Sequence, residues 1–243
     1  MNDVVTIAGD LRTHLLQTES KAPPSLLVVL CHGYGASGED LLPLASELVE
    51  RAPELASARY AFPAGPLSMG VVDWGDSRAW WPLDWVRLSA LSSAAGGRAT
   101  LRQEAPEGLV SARRKLQRCI ETLMQGTGLG PDRVVLGGFS QGAMLATDLA
   151  LHWEHRPAAL VALSSVILTE SVWRKLAPRR AGLPVVQSHG RQDPILPYVE
   201  GEAFRALLTE AGLAVDFLPF DGPHTIHPDA LDRLAALLVR LLP

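Results

Sequence analysis

The sequence predicts an α/β fold, with a mostly parallel central sheet and helices on both faces. Short apolar, β-rich runs alternate with helical patterns along the chain, which is the order expected when helices connect parallel strands. One run, "SLLVVLCHG" at 25–33, is almost continuously apolar, as is typical of a strand buried on both faces. The length of 243 residues suits one large α/β domain or two small ones.

The alternation can be assigned element by element. Helices are recognised by apolar residues at helical spacing and by residues that favour helix ends. The first predicted helix begins near Pro43, with Asp40 as its candidate N-cap, and the second is closed by Gly126. The predicted strands span 25–33, 58–63, 133–139, 158–165, 183–190 and 214–220. The predicted helices after the first span 108–125, 141–151, 199–211 and the segment from Pro228.

Charge and cysteine content exclude several classes of protein. The net charge of −4 shows no surplus of Lys and Arg, so no nucleic-acid partner is expected. Cys31 and Cys119 are too few for a framework of disulfides and favour a reducing compartment. The N-terminal segment lacks the pattern of a secretory signal, and no apolar run approaches the roughly 18 residues of a spanning helix. A soluble, cytoplasmic protein without integral membrane association is therefore predicted; its oligomeric state stays open, with a homodimer among the alternatives.

The segment from residue 64 to residue 107 breaks the alternation. It is too long for an ordinary connection between a strand and a helix, and it holds four of the six tryptophans. Because disordered segments are poor in aromatic residues, we interpret it as a partly mobile cap or pocket wall. Two interpretations of its tryptophans stay open, since they can line an apolar substrate site or pack within the cap. The four residues are Trp74, Trp80, Trp81 and Trp85.

The stretch "RVVLGGFSQGAMLATDLAL" at 133–151 joins a predicted strand to a predicted helix through a Gly-rich turn. Gly138 and Gly142 flank Ser140 in a Gly-x-Ser-x-Gly pattern, which is the signature of a nucleophile elbow. Side chains two residues before and after the serine would collide with the strand and the helix. The two glycines therefore allow a sharp turn that presents the Ser140 hydroxyl at the carboxyl edge of the sheet, where open α/β folds bind ligands.

A serine nucleophile needs a base, and the expected chain order is Ser, then Asp or Glu, then His. His224 lies between the last predicted strand and the last predicted helix, so it is the preferred base. His227 is better explained as the start of that helix. Asp193 follows the strand at 183–190 in a loop at the same sheet edge, which makes it the preferred acid. His189 ends that strand before the acid and is interpreted as structural.

Acyl transfer also needs N–H donors for the oxyanion that forms on the attacked carbonyl group. The backbone N–H of Gln141, the residue after the nucleophile, is the first candidate. The Gly-rich loop "LCHGYGASGEDLLPLA" at 30–45 supplies the second, the backbone N–H of Tyr34. His32 is interpreted as a residue that holds this loop through local hydrogen bonds. No metal-binding pattern such as HExxH occurs in the sequence, and no cofactor is predicted.

These segments together resemble the phospholipase/carboxylesterase family of α/β-hydrolases, which includes the acyl-protein thioesterases and small bacterial carboxylesterases. The resemblance runs from about residue 26 to the C-terminus. It implies a single α/β-hydrolase domain over 1–243, without a cofactor, in which Ser140, Asp193 and His224 form a catalytic triad. The matching segments are "LCHGYGASGEDLLPLA", "FPAGP", "AWWPLD", "GGFSQGAM", "SHGRQDPILP" and "GPHTIHPDAL".

The sequence departs from the family pattern around the acyl pocket. "AWWPLD" replaces the shorter Trp-Phe-Asp pattern of the acyl-protein thioesterases, and Ser165 stands where relatives often have Gly. We therefore do not carry over the deacylation of palmitoylated proteins.

The expected function is a serine hydrolase that cleaves small-molecule carboxylic esters, as a carboxylesterase or a lysophospholipase. His224 takes the proton of Ser140 during attack on the acyl carbonyl and then protonates the leaving alcohol. A thioesterase with the same triad is the first alternative. A non-catalytic binding protein on a hydrolase scaffold is the second, and the complete set of elbow, triad and oxyanion loop argues against it.

Overall fold

The computed structural model describes residues 1–18, 23–72 and 75–243. Eight strands form one sheet in the order β1-β2-β4-β3-β7-β8-β9-β10, and β5 pairs with β6 in a separate hairpin. The strands are β1 Asn2–Ala8, β2 Leu11–Gln17, β3 Leu27–Cys31, β4 Arg59–Pro63, β5 Leu67–Val72, β6 Gly75–Ala79, β7 Val134–Phe139, β8 Ala159–Leu163, β9 Pro184–Gly190 and β10 Ala214–Phe220.

The main sheet is mostly parallel. Strands β4, β3, β7, β8, β9 and β10 run in one direction, whereas β2 pairs antiparallel with β4 and β1 pairs antiparallel with β2. The central strands β3 and β8 are buried along their whole length, which explains why their sequences are continuously apolar instead of alternating. The parallel arrangement brings the carboxyl ends of β3, β7, β8, β9 and β10 to the same edge.

The described residues form eight α-helices around the sheet. Helices α1 and α8 pack on one face, where Leu48 and Leu234 meet Val28 and Val161 in one hydrophobic cluster. Helices α4 to α7 cover the other face, with Leu116 and Leu145 in a second cluster. The helices are α1 Pro43–Arg51, α2 Trp85–Ser93, α3 Gly97–Gln103, α4 Leu109–Thr127, α5 Gln141–His152, α6 Glu170–Leu176, α7 Tyr198–Glu210 and α8 Pro228–Leu241.

The predicted fold class is confirmed, and each of the six predicted strands corresponds to a strand of the main sheet. Two predicted helix ends are wrong in detail. Leu42, not Asp40, is the N-cap residue of α1, without a side-chain hydrogen bond. Helix α4 continues past Gly126 to Thr127 and ends at Gly128, whose φ of 72° is readily adopted only by glycine. No described helix is long and apolar enough to cross a membrane.

The segment 64–107 contains the β5–β6 hairpin and helices α2 and α3, none of which the sequence predicted. Helix α2 has no buried residue, so its apolar residues do not form the core-facing stripe of a typical surface helix. The next helix, α3, is joined to α7 by a bidentate ion pair in which Arg102 Nε lies 2.6 Å from Glu200 Oε2. The segment is thus a set of defined elements fixed to the rest of the molecule.

Candidate active site

The turn between β7 and α5 has the backbone geometry of a nucleophile elbow. Ser140 adopts φ 54° and ψ −120°, a conformation that is rare for a residue with a side chain. Its N–H donates to the carbonyl oxygen of Leu163 at the end of β8, and its carbonyl oxygen accepts the first helical bond, from Met144. The strained residue is therefore held from both sides. The unpaired N–H groups at the start of α5 point toward the same region.

The two glycines of the elbow are required by close packing. A Cβ atom at Gly138 would lie 2.3 Å from the carbonyl oxygen of Cys31, and one at Gly142 would lie 2.1 Å from the same atom. Both distances are far below van der Waals contact. The predicted steric reason for Gly-x-Ser-x-Gly is thus correct, and the atom that enforces it belongs to the end of β3.

Asp193 and His224 lie together at the carboxyl edge of the sheet. Asp193 follows β9, His224 follows β10, and His224 Nδ1 lies 2.6 Å from Asp193 Oδ2. The other carboxylate oxygen, Oδ1, accepts hydrogen bonds from the backbone N–H groups of Ile195 and Leu196 at 2.9 and 2.8 Å. Burial by itself would raise the pKa of Asp193, but the hydrogen bonds from His224 and these N–H groups outweigh it and lower the pKa.

His224 also contacts the elbow. Its ring centroid lies 4.7 Å from that of Phe139, the residue before Ser140, and its side chain is only 10% exposed. In the part of the chain that the structure describes, the Ser140 hydroxyl and the His224 ring are not hydrogen-bonded. Such bonds are often long without substrate and tighten when it binds. The structure thus brings the predicted base to the neighbourhood of the predicted nucleophile.

The predicted oxyanion loop lies against the elbow. A Cβ atom at Gly33 would lie 3.5 Å from Ser140 Cβ and 3.3 Å from the Phe139 ring, so only a small residue allows this approach. Neither the Tyr34 N–H nor the Gln141 N–H donates to an acceptor among the described residues. Both predicted oxyanion donors are thus without a protein acceptor among the described residues.

His32 holds the oxyanion loop through both ring nitrogens. Nδ1 lies 2.7 Å from the carbonyl oxygen of Gly33, and Nε2 accepts the N–H of Gly65 at 2.8 Å. This pattern fits the neutral ring with its proton on Nδ1. Burial lowers the pKa of His32 to about 4, against the opposing effect of the hydrogen bond to Gly33. The interpretation of His32 as a loop-holding residue agrees with these contacts.

His189 and His227, the other histidines near the candidate site in sequence, also have structural contacts. His189 is buried, and its Nε2 lies 2.8 Å from the carbonyl oxygen of Leu196. His227 is the N-cap of α8, where its Nδ1 accepts the N–H of Asp229.

The tryptophans of the segment 64–107 differ in position. Trp80 and Trp81 are each 1% exposed and belong to the hydrophobic core, so core packing, not an open pocket wall, accounts for them. Trp85 is 52% exposed, and its ring lies edge-on to that of Tyr34 at 5.6 Å. Trp74 lies outside the described residues. Trp85 is therefore the described tryptophan of this segment that offers an exposed ring beside the candidate site.

The Gln141 side chain makes contacts that the sequence did not predict. This side chain is buried and bonds to the backbone of Trp80 and Trp81, about sixty positions earlier in the chain. No local pattern signals such a contact, because its partners meet only in the folded protein. Among the described residues, no group of three or more His, Cys, Asp or Glu side chains is arranged to hold a metal ion.

Comparison with known proteins agrees with this geometry. The family model described as Phospholipase/Carboxylesterase matches residues 14–240. The chain belongs to the phospholipase/carboxylesterase family. The predicted family and the predicted class of enzyme, a serine hydrolase of esters, are thereby confirmed.

Several relatives can be aligned over most of the chain. Acyl-protein thioesterase 1 of Neurospora crassa is 28% identical over 89% of this chain and 86% of its own length. Acyl-protein thioesterase 1 of Eremothecium gossypii is 29% identical over 89% of this chain and 88% of its own.

Solved structures show the same fold. The crystal structure of esterase PE8 is 30% identical, with a TM-score of 0.77 over 96% of this chain and 99% of that one. A carboxylesterase from Mesorhizobium loti is 18% identical but has a TM-score of 0.74, over 98% and 99% of the two chains. At that identity the second likeness supports the fold alone.

Proposed function

We propose that Ser140, His224 and Asp193 form the catalytic triad of this ester hydrolase. The observation that carries the proposal is the 2.6 Å hydrogen bond between His224 and the buried carboxylate of Asp193, at the sheet edge that also carries the strained Ser140. Asp193 holds the imidazole with its proton on Nδ1, which leaves Nε2 free to accept the proton of Ser140. The lowered pKa of Asp193 keeps it ionised and able to stabilise the imidazolium.

In the proposed reaction, Ser140 Oγ attacks the acyl carbonyl carbon while His224 takes its proton. The negative charge on the carbonyl oxygen is stabilised by the N–H groups of Tyr34 and Gln141 and by the N-terminus of α5. His224 then protonates the leaving alcohol, and an acyl-enzyme remains on Ser140. A water molecule, deprotonated by the same histidine, releases the acid.

Labelling with a fluorophosphonate probe tests the nucleophile. The wild-type protein is expected to react at Ser140, and Ser140→Ala is expected to lose both labelling and hydrolysis of a chromogenic ester. Ser164→Ala is the matched control, since Ser164 also directly follows a central strand and has a positive φ of 51°. The control is expected to keep both activities. Equal labelling of wild type and Ser140→Ala would overturn the assignment.

A thioesterase with the same triad is the second candidate. It is favoured by the relatives of 28–29% identity that carry the name acyl-protein thioesterase 1. A pair of substrates that differ only in oxygen or sulfur at the scissile bond separates the two functions. A kcat/KM that is higher for the oxygen ester supports the carboxylesterase, and the reverse supports the thioesterase.

We further propose that the substrate is a small-molecule ester whose apolar part contacts Trp85, and that the enzyme is cytoplasmic. The exposed ring of Trp85 beside Tyr34 supports the first proposal. Two buried, unpaired cysteines support the second. Chromogenic esters of increasing acyl length test the proposal about the substrate.

The sequence left a homodimer among the alternatives for the oligomeric state. Light scattering after size exclusion distinguishes it from a monomer.

A further inference from the structure

The side chain of Gln141 makes two hydrogen bonds that its role as a backbone donor does not require. Gln141 Oε1 accepts the backbone N–H of Trp80, and Gln141 Nε2 donates to the carbonyl oxygen of Trp81, each at 2.9 Å. The residue is only 2% exposed. Because a buried amide is costly unless its groups are paired, this reciprocal pairing fixes the side chain and the backbone it holds.

The same backbone segment is bound on its other side to the oxyanion loop. We call residues 77–81 the strap. The Gly35 N–H donates to the carbonyl oxygen of Arg78 at 2.8 Å, and the Arg78 N–H donates to the carbonyl oxygen of Ala36 at 3.0 Å. The Ser77 hydroxyl donates to the carbonyl oxygen of Gly35 at 2.7 Å.

The Trp80 indole adds a further contact between the strap and the oxyanion loop. Trp80 Nε1 donates to the carbonyl oxygen of His32 at 2.9 Å. The strap therefore lies between the loop that carries Tyr34 and the elbow that carries Gln141, and it is hydrogen-bonded to both.

We infer that the Gln141 side chain is a positioning residue, which sets the relative position of the two oxyanion donors through the strap. The inference rests on the proposed function of those donors. Tyr34 and Gln141 lie on separate segments of the chain, and donors stabilise an oxyanion only when they are fixed at its future position before the reaction. The strap links the two segments. The Gln141 amide accepts one hydrogen bond from the strap and donates one to it, and so forms the end of that link at the elbow.

The test replaces Gln141 with methionine, which has a similar volume and makes neither bond. The backbone N–H is retained in Gln141→Met, so the oxyanion donor is displaced but not deleted. Complete loss of one such donor lowers kcat by about 10²–10³-fold. We expect displacement to lower kcat by about 10–100-fold with KM nearly unchanged, and to weaken a boronic acid transition-state analogue in proportion.

Thr147→Val is the matched control for stability. Thr147 is buried in the same helix, and its hydroxyl donates to the carbonyl oxygen of Ala143 at 2.8 Å. The control loses one buried hydrogen bond, so its melting temperature is expected to fall while kcat stays at the wild-type value. If Gln141→Met behaves in the same way, with kcat and inhibitor affinity unchanged, the inference is wrong.

Ser77→Ala tests the other end of the strap and serves if Gln141→Met does not fold. It is expected to lower kcat about 3–10-fold, because the Tyr34 donor is displaced and not removed, and complete loss of a donor has a larger effect. The double variant is expected to lose less than the product of the two single effects, because both act through the strap. Independent, multiplicative effects, or full activity of Ser77→Ala, would contradict the inference. Hydrolysis retained by Ser140→Ala would instead overturn the proposed function itself.

Discussion

The carboxyl edge of the sheet and the segment 64–107 contribute to the candidate site in different ways. At the sheet edge, Ser140, Asp193 and His224 each follow the end of a parallel strand, and the order of the strands brings them together. The segment 64–107 instead reaches the site through contacts with distant parts of the chain, such as the hydrogen bonds between its strap and Gln141. The strand ends place the candidate catalytic residues, and the segment 64–107 is bonded to the backbone around them.

The sheet edge and the segment 64–107 also differ in backbone conformation and in burial. The elbow has positive φ at Ser140 and no space for a Cβ atom at Gly138 or Gly142. In the segment 64–107, helix α2 has no buried residue. The same segment nevertheless contributes Trp80 and Trp81 to the core. Trp80 and Trp81 are therefore part of the core, whereas helix α2 contributes no buried residue to it.

The largest expected effect on stability comes from the difference in burial between two tryptophans of the segment 64–107. Trp81→Ala removes a fully buried indole and is expected to lower the free energy of unfolding by about 3–5 kcal/mol. Trp85→Ala, at a half-exposed position, is expected to change it by less than about 1 kcal/mol but to alter the dependence of kcat/KM on acyl length. Urea denaturation and an ester series measure the two effects. Equal losses of stability would show that α2 is part of the core.

A second comparison uses one glycine of the elbow and one glycine of helix α4. Gly142→Ala places a Cβ atom 2.1 Å from a backbone oxygen and is expected to cost about 3 kcal/mol, the upper part of the usual range for overpacking, with a loss of kcat. Gly126→Ala in α4, where a Cβ atom meets nothing within 4 Å, is expected to stabilise the helix by up to about 1 kcal/mol. Thermal denaturation of both variants checks the pair.

The third effect is a dependence of stability on pH that originates at the oxyanion loop. Burial lowers the pKa of His32 from 6.5 to about 4, so the folded state binds fewer protons than the unfolded state between these values. The free energy of unfolding therefore falls as the pH decreases through this window, by about 3 kcal/mol in total. His32→Asn is expected to remove this part of the pH dependence. An identical pH dependence in wild type and variant would mean that His32 is not buried in its neutral form.

The smallest expected effect concerns the attachment of α3. Arg102→Met breaks the half-buried pair with Glu200 and is expected to cost about 1 kcal/mol, while amide hydrogen exchange in α2 and α3 becomes faster. Arg118→Met, which breaks an exposed pair with Asp10, is the control and is expected to leave that exchange unchanged. If the exchange of α2 and α3 does not respond, the ion pair does not hold these helices in place.

The candidate catalytic residues could be predicted because their positions depend on local sequence. The end of an apolar run marks the end of a strand, and parallel strands place such ends at one edge. Ser140, Asp193 and His224 follow from this rule and from the chain order. The antiparallel strands β1 and β2 were not predicted. The apolar residues of β1 do not alternate with polar ones, and most of the strand is exposed.

The sequence by itself determined the six parallel strands of the main sheet, the strained turn at Ser140 and the residue types available for acyl transfer, because short-range backbone sterics and burial periodicity fix them. Only the tertiary structure decided which tryptophans are buried, that Cys31 excludes side chains at the elbow, and that the Gln141 amide bonds to the strap. These contacts join residues far apart in the chain. Burial and hydrogen bonding over such separations depend on how all the elements pack, which no local pattern contains.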